Sequence, residues 1–169
     1  DYQFMPVGNA GNISSYFKGY KKYMDDKIIS KLPKLIGVQA ENSAPLVDNK
    51  IIDSPNTIAS AIRIGNPASS KLAKEAISVT GGKFMKVSDT EIVKAQSILA
   101  KEEGLFCEPA SAASLAGFLK YAENENDLQG KKVTFILTGN GLKDPDVAKK
   151  YLSSKIIKTS SKINDITEA

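Results

Sequence analysis

The sequence predicts an α/β fold, a parallel twisted sheet with helices on both faces. Three features predict it. Strand-like and helix-like segments alternate along the chain, the pattern of a layered sheet with right-handed crossovers. The run VTFIL at Val133–Leu137 is unbroken, as in a parallel strand buried on both faces. Two polar loops, Gly8–Asn12 and Thr138–Asp144, each follow a strand directly, where open α/β sheets place their ligands.

The elements follow in order. Gln3–Val7 reads as a strand ended by Gly8. Ile13, Tyr16, Phe17, Tyr20 and Met24 then recur at helical spacing, one face of an amphipathic helix. Leu35–Ala40 is a second strand and Asp48–Pro55 a polar turn. Ser54 and Pro55 offer an N-cap and a first position for a helix through Ile62. Pro67 opens another helix, stopped by Gly81 and Gly82, and Lys83–Val87 is a third strand. Ser88 and Glu91 form a capping box for a helix to about Glu103, with Gly104 beyond it. Leu105–Cys107 is a short strand or turn. Pro109 opens a helix whose Ala and Ser residues let it pack close to the sheet. After VTFIL a last helix covers Val147–Lys155, and 156–169 is a weakly patterned tail.

A chain of 169 residues suffices for one domain, and 41% hydrophobic with 25% charged residues is a globular composition. No apolar run approaches the ~18–20 residues that span a bilayer. The opening DYQF has neither the basic head nor the apolar stretch of a signal peptide, and it lacks an initiator Met, so the natural polypeptide is expected to start earlier. Cys107 is the only cysteine, which rules out an internal disulfide and points to a cytoplasmic setting. With no histidine, His-based triads and most zinc sites are excluded, and no metal site is expected. Of 23 basic residues only Arg63 is an arginine, and the lysines scatter along helices. That is not the arginine-rich, aromatic-interleaved surface of a nucleic-acid binder. Neither nucleic acid nor membrane is an expected partner.

The loop Gly8-Asn9-Ala10-Gly11-Asn12 lies between a strand and a helix N-terminus. The first N–H groups of a helix lack internal acceptors, and the helix dipole adds partial positive charge there. Glycines let the backbone approach an anion closely. Together these make a phosphate cradle that needs no basic side chain. The spacing fits neither the dinucleotide fingerprint nor a P-loop, and an Asn/Gly turn that simply caps its helix is the alternative. Thr138 ends the other strand, so its hydroxyl faces the same crevice or else bonds its own turn.

In order and spacing, PVGNAGNISSYFKGYKKY, AIRIGNPAS, FCEPASAASLAGFLK and ILTGNGLKDPD resemble the C-terminal half of the threonine synthases, over about residues 3–150. These belong to the fold-type II (tryptophan synthase β-like) pyridoxal 5'-phosphate (PLP) family. The resemblance implies that Gly8, Asn9, Ala10, Gly11 and Asn12 hold the cofactor phosphate, and that Asn9 also reaches the phosphate of the substrate. It implies that the Thr138 hydroxyl meets the pyridine nitrogen. A neutral hydroxyl there, unlike a carboxylate, lets the ring stay unprotonated. The implied activity is a lyase of threonine biosynthesis, converting O-phospho-L-homoserine and water to L-threonine and phosphate, and working as a homodimer. In the family the Schiff-base lysine lies in the other half, in a Ser-x-Lys-Asp-like motif that this chain lacks. Residues 1–155 are therefore expected to form the C-terminal half of a catalytic domain and 156–169 its tail, inactive without the N-terminal half.

Three alternatives stay open: a non-catalytic phosphate-ligand binding module, a structural half that completes another polypeptide's sheet, and a sibling enzyme of the threonine dehydratase kind. Related family members bind a divalent cation near the equivalent of Glu108. Arg63 reads as a phosphate partner or a structural tie, Cys107 as a small buried residue, and Tyr16, Tyr20 and Tyr23 as helix packing or a subunit contact.

Overall fold

Alternation along two inner strands sets the layers of this protein, in a computed structural model that describes residues 1–124, 128–151 and 160. β1 (Tyr2–Pro6), β2 (Lys34–Ala40), β3 (Lys83–Val87) and β4 (Val133–Phe135) form one parallel sheet in the order β3-β2-β1-β4. Phe4 pairs with Ile36 on one side and Phe135 on the other. Successive side chains point to opposite faces. Tyr2, Phe4, Ile36, Val38 and Ala40 face α4 (Asp89–Glu102) and α5 (Pro109–Asn124). Met5, Val7 and Leu35 face α1 (Gly11–Asp25) and α3 (Ser70–Thr80), meeting Ile13, Phe17, Ala73 and Ala76. The expected sheet with helices on both faces is what forms. A one-turn helix α2 (Pro45–Asp48) and a C-terminal α6 (Pro145–Tyr151) complete the described elements. Among the described residues no helix is long and apolar enough to cross a membrane.

The small residues of α5 act as the sequence predicts. Ala110, Ala112, Ala113 and Ala116 are buried on the sheet. At Gly117 an added Cβ would sit 2.4 Å from Val38 Cγ2, so the helix approaches too closely for any side chain there. Beyond this contact Phe118 and Tyr121 present their ring edges to Phe4, each centroid 5.6 Å away, a favourable aromatic geometry.

Local signals hold where the chain meets its own backbone. In the capping box, Ser88 Oγ accepts the Glu91 N–H at 3.2 Å, and the Glu91 carboxylate accepts the Ser88 N–H at 2.6 Å. Gly81 ends α3 in the left-handed conformation, with φ 62°.

Elsewhere the structure corrects the expectation. Ser54–Ile62 is not a helix: only Ser60–Ile62 turns, as a 3-10 segment. Its N–H groups are taken by distant acceptors instead, Asn56 by the Asn42 carbonyl and Ile58 by the Asp89 carboxylate. The helix expected from Pro67 begins at Ser70, because Ala68 and Ser69 are tied to Asn9. VTFIL supplies a strand of only three residues, at a sheet edge and partly exposed rather than buried on both faces. Met24, expected on the inner face of α1, is 44% exposed. The last helix is described to Tyr151; 152–155 and the expected tail, apart from residue 160, lie outside the described residues.

Candidate functional site

The Gly8–Asn12 loop leaves the carboxyl end of β1 and runs straight into α1. Ala10 takes a left-handed conformation (φ 64°), and no side chain caps the helix. The capping alternative therefore fails: the Asn9 carboxamide oxygen accepts the N–H of Ala68 at 2.8 Å, across the chain rather than within its own helix. The Asn9 carbonyl also accepts the Ser69 N–H, so the IGNPAS segment buttresses the loop. Beneath it, a Cβ on Gly8 would meet the Ala61 carbonyl oxygen at 2.8 Å and Ile62 Cα at 3.0 Å, which restricts that position to glycine. As a result the backbone N–H groups of Gly8, Asn9, Ala10, Gly11, Asn12 and Ile13 have no acceptor among the described residues. Six donors at the positive end of a 15-residue helix make an anion site.

Thr138 follows β4, the neighbour of β1, and lines the same cleft of about 310 Å³ as the loop. All six residues singled out from the sequence, Gly8 to Asn12 and Thr138, are thus brought together. The hydroxyl of Thr138 does not bond its own turn. It donates to Glu108 Oε1 at 3.3 Å and lies 3.0 Å from Ser111 Oγ. Ser111 Oγ in turn accepts the Gly139 N–H at 2.8 Å.

Sequence reasoning missed three members of this cluster. Glu108, only 1% exposed, lines the cleft at the start of α5. Lys143 lines it too, its Nζ 3.0 Å from Glu108 Oε2, an ion pair without a well-angled hydrogen bond. Ser111 was legible only as a small packing residue. The signal was present in EPAS: a carboxylate in an otherwise apolar stretch must find polar partners once buried. Arg63, by contrast, is exposed and makes no side-chain hydrogen bond or ion pair among the described residues. Tyr16 and Tyr20 are half-buried on α1, and Tyr23 is exposed.

Burial pushes the Cys107 thiol up to about 11, and the charge of Glu108 adds to this. The thiol next to the cleft is neutral at physiological pH.

Comparison with known proteins gives a consistent picture. Residues 1–139 match the family described as pyridoxal-phosphate dependent enzyme. A threonine synthase from Mycobacterium leprae is 49% identical over 150 residues, 89% of this chain and 42% of that protein. Another from Bacillus sp. (strain ULM1) is 48% identical over 168 residues, 99% of this chain and 47% of its own. The chain thus spans less than half the length of these relatives. Among solved structures, maize serine racemase superposes with a TM-score of 0.68 at 18% identity, over 89% of this chain and 45% of its own. Serine racemase from Dictyostelium discoideum gives 0.61 at 24%, over 83% and 43%. A bacterial-type threonine deaminase fold is matched as well, with a TM-score of 0.66 at 17% identity.

Proposed function

The chain belongs to the pyridoxal-phosphate dependent enzyme family, and on that premise we propose that it is the C-terminal half of a threonine synthase-type lyase. Residues 1–155 form its share of the catalytic domain and 156–169 a tail. The reaction is conversion of O-phospho-L-homoserine and water to L-threonine and phosphate, in the cytoplasm, by a homodimer. The observation that carries the reading is the row of acceptor-free N–H groups from Gly8 to Ile13, in the cleft that Thr138 also lines. The similarity to threonine synthases at 48–49% identity supports the substrate class.

The residues present fit the cofactor. The amides of Gly8–Asn12 hold its phosphate, and they do so without a cation because the helix end supplies the field. Thr138 meets the ring nitrogen. Asn9 spends its side-chain oxygen on Ala68, which leaves its amide N–H₂ to donate to the substrate phosphate. When bound, PLP supplies an electron sink that eases proton loss and departure of phosphate. Lys143 is the one lysine among the residues lining the cleft, and it is paired with Glu108. The Schiff-base lysine then comes from the N-terminal half.

Two measurements test this. An added Cβ at Gly11 meets nothing within 4 Å, so Gly11→Asp is accommodated. Its charge at the first turn stabilises α1 by ~0.3–1 kcal/mol but repels a phosphate. Calorimetric titration of pyridoxamine 5'-phosphate should show affinity falling more than ~10-fold, ~1.4 kcal/mol, with no loss of Tm. Equal affinity in both proteins would overturn the phosphate assignment. The intact mass of the cellular polypeptide should be about twice that of this chain, in line with the share of the relatives it spans; a species of 18.2 kDa would overturn the half-enzyme reading.

A further inference from the structure

Thr138 has one proton and two lone pairs to offer. The side chains around it decide which of these reaches the cleft. Glu108 Oε1, 3.3 Å from Thr138 Oγ1, belongs to a buried carboxylate that can only accept. The carboxylate is pressed against the turn, since a Cβ on Gly139 would lie 2.3 Å from the same oxygen. Ser111 Oγ is 3.0 Å from Thr138 Oγ1, accepts from Gly139 N–H, and has the Gly139 carbonyl at 3.2 Å as an acceptor for its own proton. Whichever hydroxyl donates between Ser111 and Thr138, the Thr138 proton has an acceptor inside the protein. The charge-assisted bond to Glu108 is the stronger of the two. A lone pair is left for the cleft.

We propose that Glu108 is a positioning residue that orders the Thr138 hydroxyl as a hydrogen-bond acceptor, so that this site selects a ligand presenting a ring N–H, a protonated pyridine nitrogen. The inference rests on the PLP reading above and reverses the expectation that a threonine hydroxyl leaves the ring unprotonated. A protonated ring withdraws electrons more strongly, so a neutral side chain backed by a buried carboxylate does indirectly what a carboxylate at the nitrogen does directly. Among the residues lining the cleft, Glu108 and Lys143 are the titratable ones, and they lie 3.0 Å apart. Cys107, beside Thr138 in the adjoining hollow, is neutral.

The test uses the 169-residue chain and pyridoxamine 5'-phosphate labelled with ¹⁵N in the ring, which binds without a lysine. The ring-nitrogen chemical shift separates protonated from unprotonated pyridine and is followed against pH. In the wild-type protein the titration midpoint should rise at least about one pH unit above that of the free probe, tenfold in proton affinity. In Glu108→Gln the side-chain amide can donate to Thr138, whose proton then turns to the ring, and the midpoint should fall below the wild-type one. Thr138→Val, an exposed position that keeps Glu108 in place, should return the midpoint to that of the free probe whether or not the glutamine variant folds. A wild-type midpoint at or below that of the free probe overturns the proposal and leaves the PLP reading standing. Failure of the probe to bind overturns both.

Discussion

Cys107 and Glu91 show how far single side chains here depend on their immediate surroundings. The Cys107 thiol, raised to about 11 by burial and then by the neighbouring carboxylate, has almost no thiolate at pH 8. A disulfide reagent should modify it about 100-fold more slowly than free cysteine, with full reactivity restored in guanidinium. Fast modification of the folded protein would mean that the Cys107–Asn140 bridge opens in solution. At Glu91 burial alone would push the carboxyl upward, but it is outweighed by the Ser88 N–H, by Lys120 and by the Ser88 hydroxyl, and the net direction is down. A depressed carboxyl contributes stability that is present above its unfolded value and lost as pH falls through its folded one. Glu91→Ala should therefore cost about 1 kcal/mol in urea unfolding at pH 7, and the difference should narrow as pH drops below the ordinary glutamate range. A gap that widens in acid would contradict the assignment. The capping role was readable from Ser-x-x-Glu, because both partners lie within one turn. The elevated thiol was not, because it needs Glu108 and the packing around it.

At the scale of elements, α5 on the sheet is the tightest junction. Gly117→Ala should cost ~1–3 kcal/mol by overpacking against Val38. Adding Val38→Ala should recover part of that loss, so the double variant is less destabilised than the sum of the singles. Strict additivity in thermal unfolding would place the strain elsewhere. The Ala/Ser composition of 109–117 made close packing legible, though not which strand it meets. Ser54–Ile62 marks the opposite case. Its Ser-Pro start has the composition of a helix N-terminus, yet Asp89, 31 residues away from Ile58, offers a carboxylate acceptor that holds the segment extended. Local propensity lost to a tertiary hydrogen bond.

For the whole molecule the informative feature is the free side of β4. No strand pairs with it among the described residues, and half-buried Val133 and Phe135 lie along it. Leu105, Phe106 and Leu142 are exposed around the nearby 104–142 region. An open, apolar edge of this kind templates further pairing. Sedimentation of the isolated chain should show concentration-dependent self-association, suppressed when an N-terminal half is supplied; a monomer at all concentrations would count against β4 being an inner strand of a larger sheet. By itself the sequence determined the order of strands and helices, the caps, and the two loops that flank the cleft. Periodicity, capping and glycine chemistry act over a few residues, so a linear reading captures them. Only the tertiary structure decided that VTFIL lies at an edge, that 54–62 stays extended, and that Glu108 faces Thr138 from 30 residues away. Each of those depends on which distant group supplies a hydrogen-bond partner or a covering surface, and no local pattern carries that information.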